Sequence, residues 1–374
     1  MAGNRLKGMT WDHPRGYLGL EAATSVYTAK TGVEITWARR SLQAFADEPI
    51  ERIAEAYDFI VLDHPHVGLV ANERSLLPLP MPENPKESSL GGSLESYIWL
   101  EQLWAYPIDA ACQVAVKRSD LCTQELPSWE AAISGSFDQP MVTPLLPVDA
   151  FDMMMTLLAG RGEEKLALTT ERFCSDANGV LALEVLKALY QAGPSEAVSW
   201  NPIRALEAMS TTNDFAYSPC LFGYVNYARP GFREQTLTYC DLPSFAGSTQ
   251  KRGILGGAGI GVSAKTPYPE AAIAFAQWVT SEPIQSGVYL AHEGQPAHLQ
   301  TWLRMGKDPA YSGFLQGALP TMQDAWTRPR DIWFLSFVDD VCDVFPSFFK
   351  RDRGSDEFLA LLNRIYRHHR EFSE

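Results

Sequence analysis

The chain has 374 residues, 46% of them hydrophobic and 20% charged, enough for two domains or one large divided one and too apolar for a disordered segment. Its formal net charge of −14 argues against nucleic acid and anionic membrane surfaces as partners. No uninterrupted apolar run is long enough to span a bilayer, so no direct membrane insertion is expected.

The opening residues, Met1 to Lys7, lack an apolar stretch and a small-residue cleavage site, so they do not read as a signal peptide. The expectation is a cytoplasmic chain, or an exported one whose leader is gone. Six cysteines (Cys112, Cys122, Cys174, Cys220, Cys240 and Cys342) are scattered without a CxxC pair or a Cys/His cluster. Zinc spacing is absent, and neither a metal nor a cofactor is expected. Dispersed thiols fit a reducing compartment, with one or two disulfides as the alternative.

In chain order, an extended Arg5 to Thr10 runs into Trp11-Asp12-His13-Pro14-Arg15. A helical face then begins, with Leu18, Leu20, Ala23, Val26 and Tyr27. Gly32 stops that helix, Val33 to Trp37 alternates as a strand, and Arg39-Arg40-Ser41-Leu42 closes it. Pro49 to Ala56 reads as a short amphipathic helix and Phe59 to Leu62 as a buried strand. That strand delivers Asp63-His64-Pro65-His66 to its end. Two strands thus finish in Asp-His-Pro, and in a parallel sheet both open at one edge, where open α/β folds place ligands.

After the aromatic Tyr97 to Trp104, Tyr106 to Ala111 leads into Cys112 to Val116, and Pro107, between two strand-like runs, suggests a bend or crossover. Ser128 is an expected N-cap for a helix at Trp129. Met141 to Pro147 reads as a strand and Asp149 as the cap of a Met-rich helix over Ala150 to Ala159, its methionines core filler. Gly179 to Tyr190 and Pro202 to Met209 are amphipathic helices flanking a turn at Trp200. Phe215 to Pro219 and Leu237 to Pro243 read as strands, with Tyr224 and Tyr227 in the aromatic run after the first. Gly253 to Gly261 is glycine-dense, and Gly256-Gly257 permits positive φ or close backbone approach. The run lacks GxGxxG in a strand-turn-helix setting, and no GxxxxGK[ST] occurs, so nucleotide phosphate is not expected. Pro269 to Val279 is a periodic helix, Glu293 to Pro296 a polar turn including Gln295, and Trp326-Thr327-Arg328-Pro329-Arg330 an aromatic-basic turn. Phe334 to Phe349 and an amphipathic helix over Asp356 to Arg367 close the chain.

The order of these motifs resembles that of the extracellular solute-binding proteins of ABC transporters, in the divided two-lobe class that includes maltodextrin-binding proteins. The resemblance runs through the strand into Trp11, the helix end Tyr27 to Ile35, Tyr57 to Asp63, Tyr106 to Asp109 with Val116 to Leu121, Leu242-Pro243, Gly256 to Val262 and Ala271 to Trp278. It implies a type II periplasmic-binding-protein-like α/β fold, with each lobe a mixed sheet flanked by helices. Lobe 1 is expected over 1–108 plus 243–305 and lobe 2 over 109–242 plus 306–374, with hinges near 106–110 and 240–243. It further implies a small-molecule ligand in an interlobe cleft closed by hinge motion, a periplasmic location and an ABC permease as partner if the chain is exported.

Two functions then compete. A binding protein would stack Trp11, Tyr224, Tyr227, Trp326 and Trp200 on an apolar or sugar-like face. Its guanidiniums, Arg15, Arg39, Arg40, Arg328 and Arg330, would clamp a carboxylate, which tilts the expected ligand toward an anionic one. Asp12, His13, Asp63, His64, His66, Asp109, Asp149, Gly256, Gly257 and Gln295 complete the expected ligand set. The alternative is a cytoplasmic enzyme on the same fold. It would use His13 with Asp12 and His64 with Asp63 for acid–base or metal-assisted chemistry on a small organic acid.

Overall fold

The structure, a computed structural model, describes residues 5–41, 49–163, 171–350 and 353–371. Leu42 and the first four residues therefore lie outside the described residues. Nine strands follow in order: β1 Arg5–Trp11, β2 Glu34–Arg40, β3 Phe59–Leu62, β4 Ile98–Trp99, β5 Gln102–Leu103, β6 Tyr106–Lys117, β7 Tyr217–Phe222, β8 Thr238–Cys240 and β9 Leu255–Val262, counted among the described residues. The chain divides into two compact units, Met1–Ala111 with Gly256–Asp308 and Cys112–Leu255 with Pro309–Glu374.

In the first unit β1 is the centre of a mixed sheet. It pairs in parallel with β2 along its whole length, from Arg5↔Glu34 to Trp11↔Arg40, and with β3 on its other side. β9 closes on β3 antiparallel, with Phe59 opposite Val262. β3 is buried along its length, as its unbroken apolar run requires. The helix Pro14–Thr31 starts at a proline whose fixed φ suits its first turn, and it buries Leu20, Ala23 and Tyr27 against the sheet. Gly32 ends it at φ 76, with its N–H 2.8 Å from the Thr28 carbonyl. Tyr27 and Phe275, from the helix Pro269–Val279, meet edge to face at 5.1 Å.

The second unit builds on the far end of β6, where β7 and β8 both pair antiparallel. Its core is aromatic: Phe151, Phe173, Phe337 and Tyr366 are all buried, and Phe151 meets Phe337 edge to face at 5.7 Å. Each such ring stabilises the fold by about 1.5–3 kcal/mol relative to exposure. The helices Ile332–Phe349 and Ser355–Glu371 carry much of this core. The helix Pro202–Thr211 is capped by Asn201, whose side-chain oxygen accepts the Arg204 N–H at 2.9 Å. Asn201→Ala is expected to cost about 1 kcal/mol, read as a lower denaturation midpoint with unchanged slope.

Several expectations change. Pro107 makes no bend, because it is the second residue of the continuous twelve-residue β6, and the crossover expected there is that strand, which runs from the first unit into the second. Met141 to Pro147 is not a strand. It makes a single parallel bridge, Met141 to Tyr217, since Pro140, Pro144 and Pro147 supply no donors. Asp149 is not a helix cap: Pro147 already occupies the first helical position, and Asp149 falls inside the first turn. The strand expected at Phe215 to Pro219 runs instead from Tyr217 to Phe222, and the glycine-dense run is β9 itself. The methionines do fill the core, with Met153, Met154 and Met155 at most 1% exposed.

Candidate functional site

Because β1 and β3 are parallel neighbours, with Gly8 opposite Phe59 and Met9 opposite Ile60, their C-terminal ends leave the sheet at one edge. That edge carries Trp11-Asp12-His13 and Asp63-His64-Pro65-His66, as the two Asp-His-Pro endings implied. β2 brings Arg39 and Arg40 to the same edge, opposite Thr10 and Trp11. The Asp12 N–H donates to the Arg40 carbonyl at 2.6 Å, and the Asp12 side chain is exposed. Trp11 and His13 are buried, and the His13 Nδ1 accepts the Arg15 N–H at 3.1 Å, capping the helix that follows.

Below that edge lies an ion pair. Arg15 Nε donates to Asp109 Oδ2 at 2.7 Å, and its Nη2 donates to Oδ1, a bidentate fork between side chains 5% and 0% exposed. Burial raises the Asp109 carboxyl above its ordinary range, the Arg15 guanidinium pulls it back, and the Asp63 charge pushes it up again. Tyr289, buried at 1% exposure, feels both charges, and its hydroxyl is held well above the usual phenol range by burial. Gln295 and Gln285 hold the strand that carries Asp109: the Gln295 amide donates to the Ala110 carbonyl at 2.7 Å and that of Gln285 to the Ile108 carbonyl at 3.3 Å.

The remaining residues expected in this unit are spread wider. Arg39 is exposed, pairs with Glu21 at 2.6 Å and lies 3.4 Å from the centroid of the Tyr17 ring. The Arg40 guanidinium is 5.8 Å from the Tyr57 ring centroid. His64 is fully buried with its ring edge-on to Tyr97, and the His66 Nδ1 is 3.2 Å from the Asp63 carbonyl. Gly256 and Gly257 lie in β9. Gly257, at φ 90, passes so close to Asp109 that a Cβ would stand 2.3 Å from its carbonyl oxygen.

In the second unit Asp149 and Asp152 occupy the start of the helix Pro147–Gly160, at 7% and 4% exposure. Arg328 Nη1 lies 3.4 Å from Asp152 Oδ2, and its guanidinium carbon is 5.9 Å from the Phe222 ring centroid. Trp326 is half-buried and anchored by its backbone, donating to Gly253 at 2.9 Å and accepting from Leu255 at 2.7 Å. Arg330 lies in the same turn, and burial pulls its guanidinium below the usual range. Tyr224 accepts from and donates to the Tyr239 hydroxyl through its own backbone, at 2.8 and 3.1 Å. Tyr227 is 1% exposed and donates to Glu207 at 2.7 Å, so its ring is packed inside. Trp200 meets Phe215 edge to face at 6.0 Å.

The structure thus brings together Arg15, Asp109 and Asp63 in one unit and Asp149, Asp152 and Arg328 in the other. Asp152 and Tyr289 were not expected from sequence. Asp152 had a signal, since three residues after Asp149 in a helix is the same face, whereas nothing marks Tyr289 within its own stretch. Among the described residues no group of three or more His, Cys, Asp and Glu side chains is placed to hold a metal ion. All six cysteines are free thiols, and no described helix is long and apolar enough to cross a membrane.

No protein-family model and no curated protein sequence matches the chain. Solved structures do match it in fold. A maltose-bound MalE3 of T. maritima is 15% identical with a TM-score of 0.80, over 98% of this chain and 100% of that one. An ABC transporter solute-binding protein from Thermotoga lettingae TMO, bound with α-D-tagatose, is 13% identical with a TM-score of 0.81, again over 98% and 100%. Another from Agrobacterium radiobacter K84, in complex with ribitol, is 16% identical with a TM-score of 0.79 over 98% of both chains. The chain has the type II periplasmic-binding-protein fold that its motif order implied.

Proposed function

We propose that the protein captures a small sugar-like or polyol solute as the binding component of an ABC uptake system, delivering it to a permease in the periplasm. One observation carries the reading: β1 and β3 empty Trp11, Asp12, Asp63 and His66 onto a single sheet edge, in a fold whose solved neighbours hold maltose, tagatose and ribitol. Asp12 is exposed and supplies carboxylate oxygens for hydroxyl donors. The carboxylate clamp expected from the arginines has less support, because Arg15, Arg39 and Arg328 each face a carboxylate of the chain itself. The acid–base alternative has less support too, since His13 uses Nδ1 as a cap acceptor and His64 is fully buried.

The test is a melting-point screen against maltose, tagatose, ribitol and a set of carboxylates, followed by calorimetric titration. A bound solute at a hundred times its Kd adds about 2.7 kcal/mol to apparent stability. Asp12→Asn is expected to weaken binding by about tenfold or more, as the loss of a hydrogen bond to a charged acceptor. A protein that ignores sugars and polyols and binds the carboxylates would overturn the reading.

A further inference from the structure

Within the first unit, residues 295–298 form a strut against β6. The Gln295 amide donates to the Ala110 carbonyl at 2.7 Å, and Pro296 bridges to Asp109. The Ala297 N–H donates at 2.7 Å to the Gln285 side chain, whose own amide reaches the Ile108 carbonyl. The Ala297 carbonyl accepts the Leu90 N–H at 2.9 Å. The strut ends at His298, the N-cap of the helix Leu299–Met305. The His298 Nδ1 accepts the Gln300 N–H at 3.3 Å, and its carbonyl accepts from Thr301 at 3.0 Å and Trp302 at 3.4 Å. The Trp302 indole N–H turns back to the Pro296 carbonyl at 2.7 Å, so cap, first turn and strut are joined by one set of hydrogen bonds.

An imidazole can accept this bond only while Nδ1 carries no proton. Protonation replaces the acceptor by a donor facing the Gln300 N–H and puts a positive charge on the positive end of the helix. His298 is 9% exposed, so the new charge is also poorly hydrated. Burial therefore holds the ring below the ordinary imidazole range, while Glu282 and Glu87 pull it back up. Glu282 is committed to Arg304 at 2.7 Å, and Lys86, next to Glu87 on the helix Pro85–Ser88, is exposed. Tyr289 stays neutral because burial holds its hydroxyl well above the phenol range, and the turn at 89–93 carries no charged side chain.

We propose that His298 is a proton-operated latch: neutral, it locks the strut 295–298 against β6, and protonated in acid it frees the start of its helix and loosens the hold on the strand that carries Asp109. Once released, the ring meets water and regains its ordinary proton affinity. The released form then binds more protons than the latched one, so release grows as pH falls below about 6.5, until the latched ring itself titrates. At neutral pH and above the latch is closed. The device is independent of which solute the protein captures.

Hydrogen exchange followed by mass spectrometry tests the latch on the wild-type protein at pH 7.5, 6 and 5, with rates corrected for intrinsic exchange. Protection in peptides spanning Leu90 and residues 297–302 is expected to fall about fivefold or more between pH 7.5 and 5. The paired amides of β1 and β2 are expected to change by less than about twofold. His298→Asn keeps a side-chain acceptor that no proton removes and is expected to hold its protection across the range. His298→Ala is expected to start low and stay low. Should His298→Asn disturb the fold, the wild-type imidazole titration followed by NMR still decides, because the latch requires His298 to titrate below the ordinary value in step with the loss of protection. Wild-type protection that stays level from pH 7.5 to 5 overturns the proposal, and so does an equal fall in His298→Asn.

Discussion

Asp109→Ala is expected to destabilise the protein by about 3–5 kcal/mol, because it strands a buried guanidinium. The Arg15 side chain is 5% exposed and gives Asp109 both hydrogen bonds of a bidentate fork. Without the carboxylate, Arg15 keeps its desolvation cost and loses its countercharge, and Gln285 and Gln295 still hold the strand that carried the partner in place. Burial raises the Asp109 carboxyl above its ordinary range while the Arg15 guanidinium pulls it down, and a buried ion pair is by itself weak evidence of stability. The pair is therefore a poor source of net stability, and removing one half costs much more than removing both. Arg15→Met with Asp109→Leu is expected to regain most of the loss, since a buried pair replaced by apolar groups of similar volume is often neutral or better. Chemical denaturation of the two single variants and the double gives the coupling directly. A loss under about 1 kcal/mol for Asp109→Ala would mean that solvent reaches Arg15.

This pair also marks the limit of what could be read from residue order. Arg15 and Asp109 were both recognisable as special, one from the Trp-Asp-His-Pro-Arg turn and the other from Tyr-Pro-Ile-Asp. Sequence offered no reason for them to meet across 94 positions, so both were assigned to the ligand. The same holds for Tyr227, whose aromatic neighbours suggested a stacking platform and whose hydroxyl instead donates to Glu207. Local patterns were legible where a short-range rule acts. The paired Asp-His-Pro endings required only strand parity, the Gly32 stop only a residue free to take positive φ, and the methionine run only its apolar volume. What was hidden depends on long-range packing: which charge faces which, and which aromatic is inside. The helix start at Pro147 was missed for a different reason, since an acidic residue two positions later offered a competing cap signal.

Gly257→Ala is the second change with a large expected effect, on the order of 2–6 kcal/mol, from two independent costs. At φ 90 the backbone stands in a region that costs an L-residue about 1–3 kcal/mol. The new Cβ would also stand 2.3 Å from the Asp109 carbonyl oxygen, with the Ala110 Cα and Ala111 N both at 2.9 Å. All three are backbone atoms of β6, so no side chain can swing aside to relieve them, and overpacking of that kind costs about 1–3 kcal/mol more. The strand can yield only by moving Asp109, which is fixed to Arg15, so the strain should pass into the ion pair. Gly257→Ala combined with Asp109→Ala is then expected to cost less than the sum of the two, with a coupling of roughly 0.5–3 kcal/mol measured in a double-mutant cycle. Full additivity would place the strain in β9 alone and separate the glycine from the ion pair beneath the sheet edge.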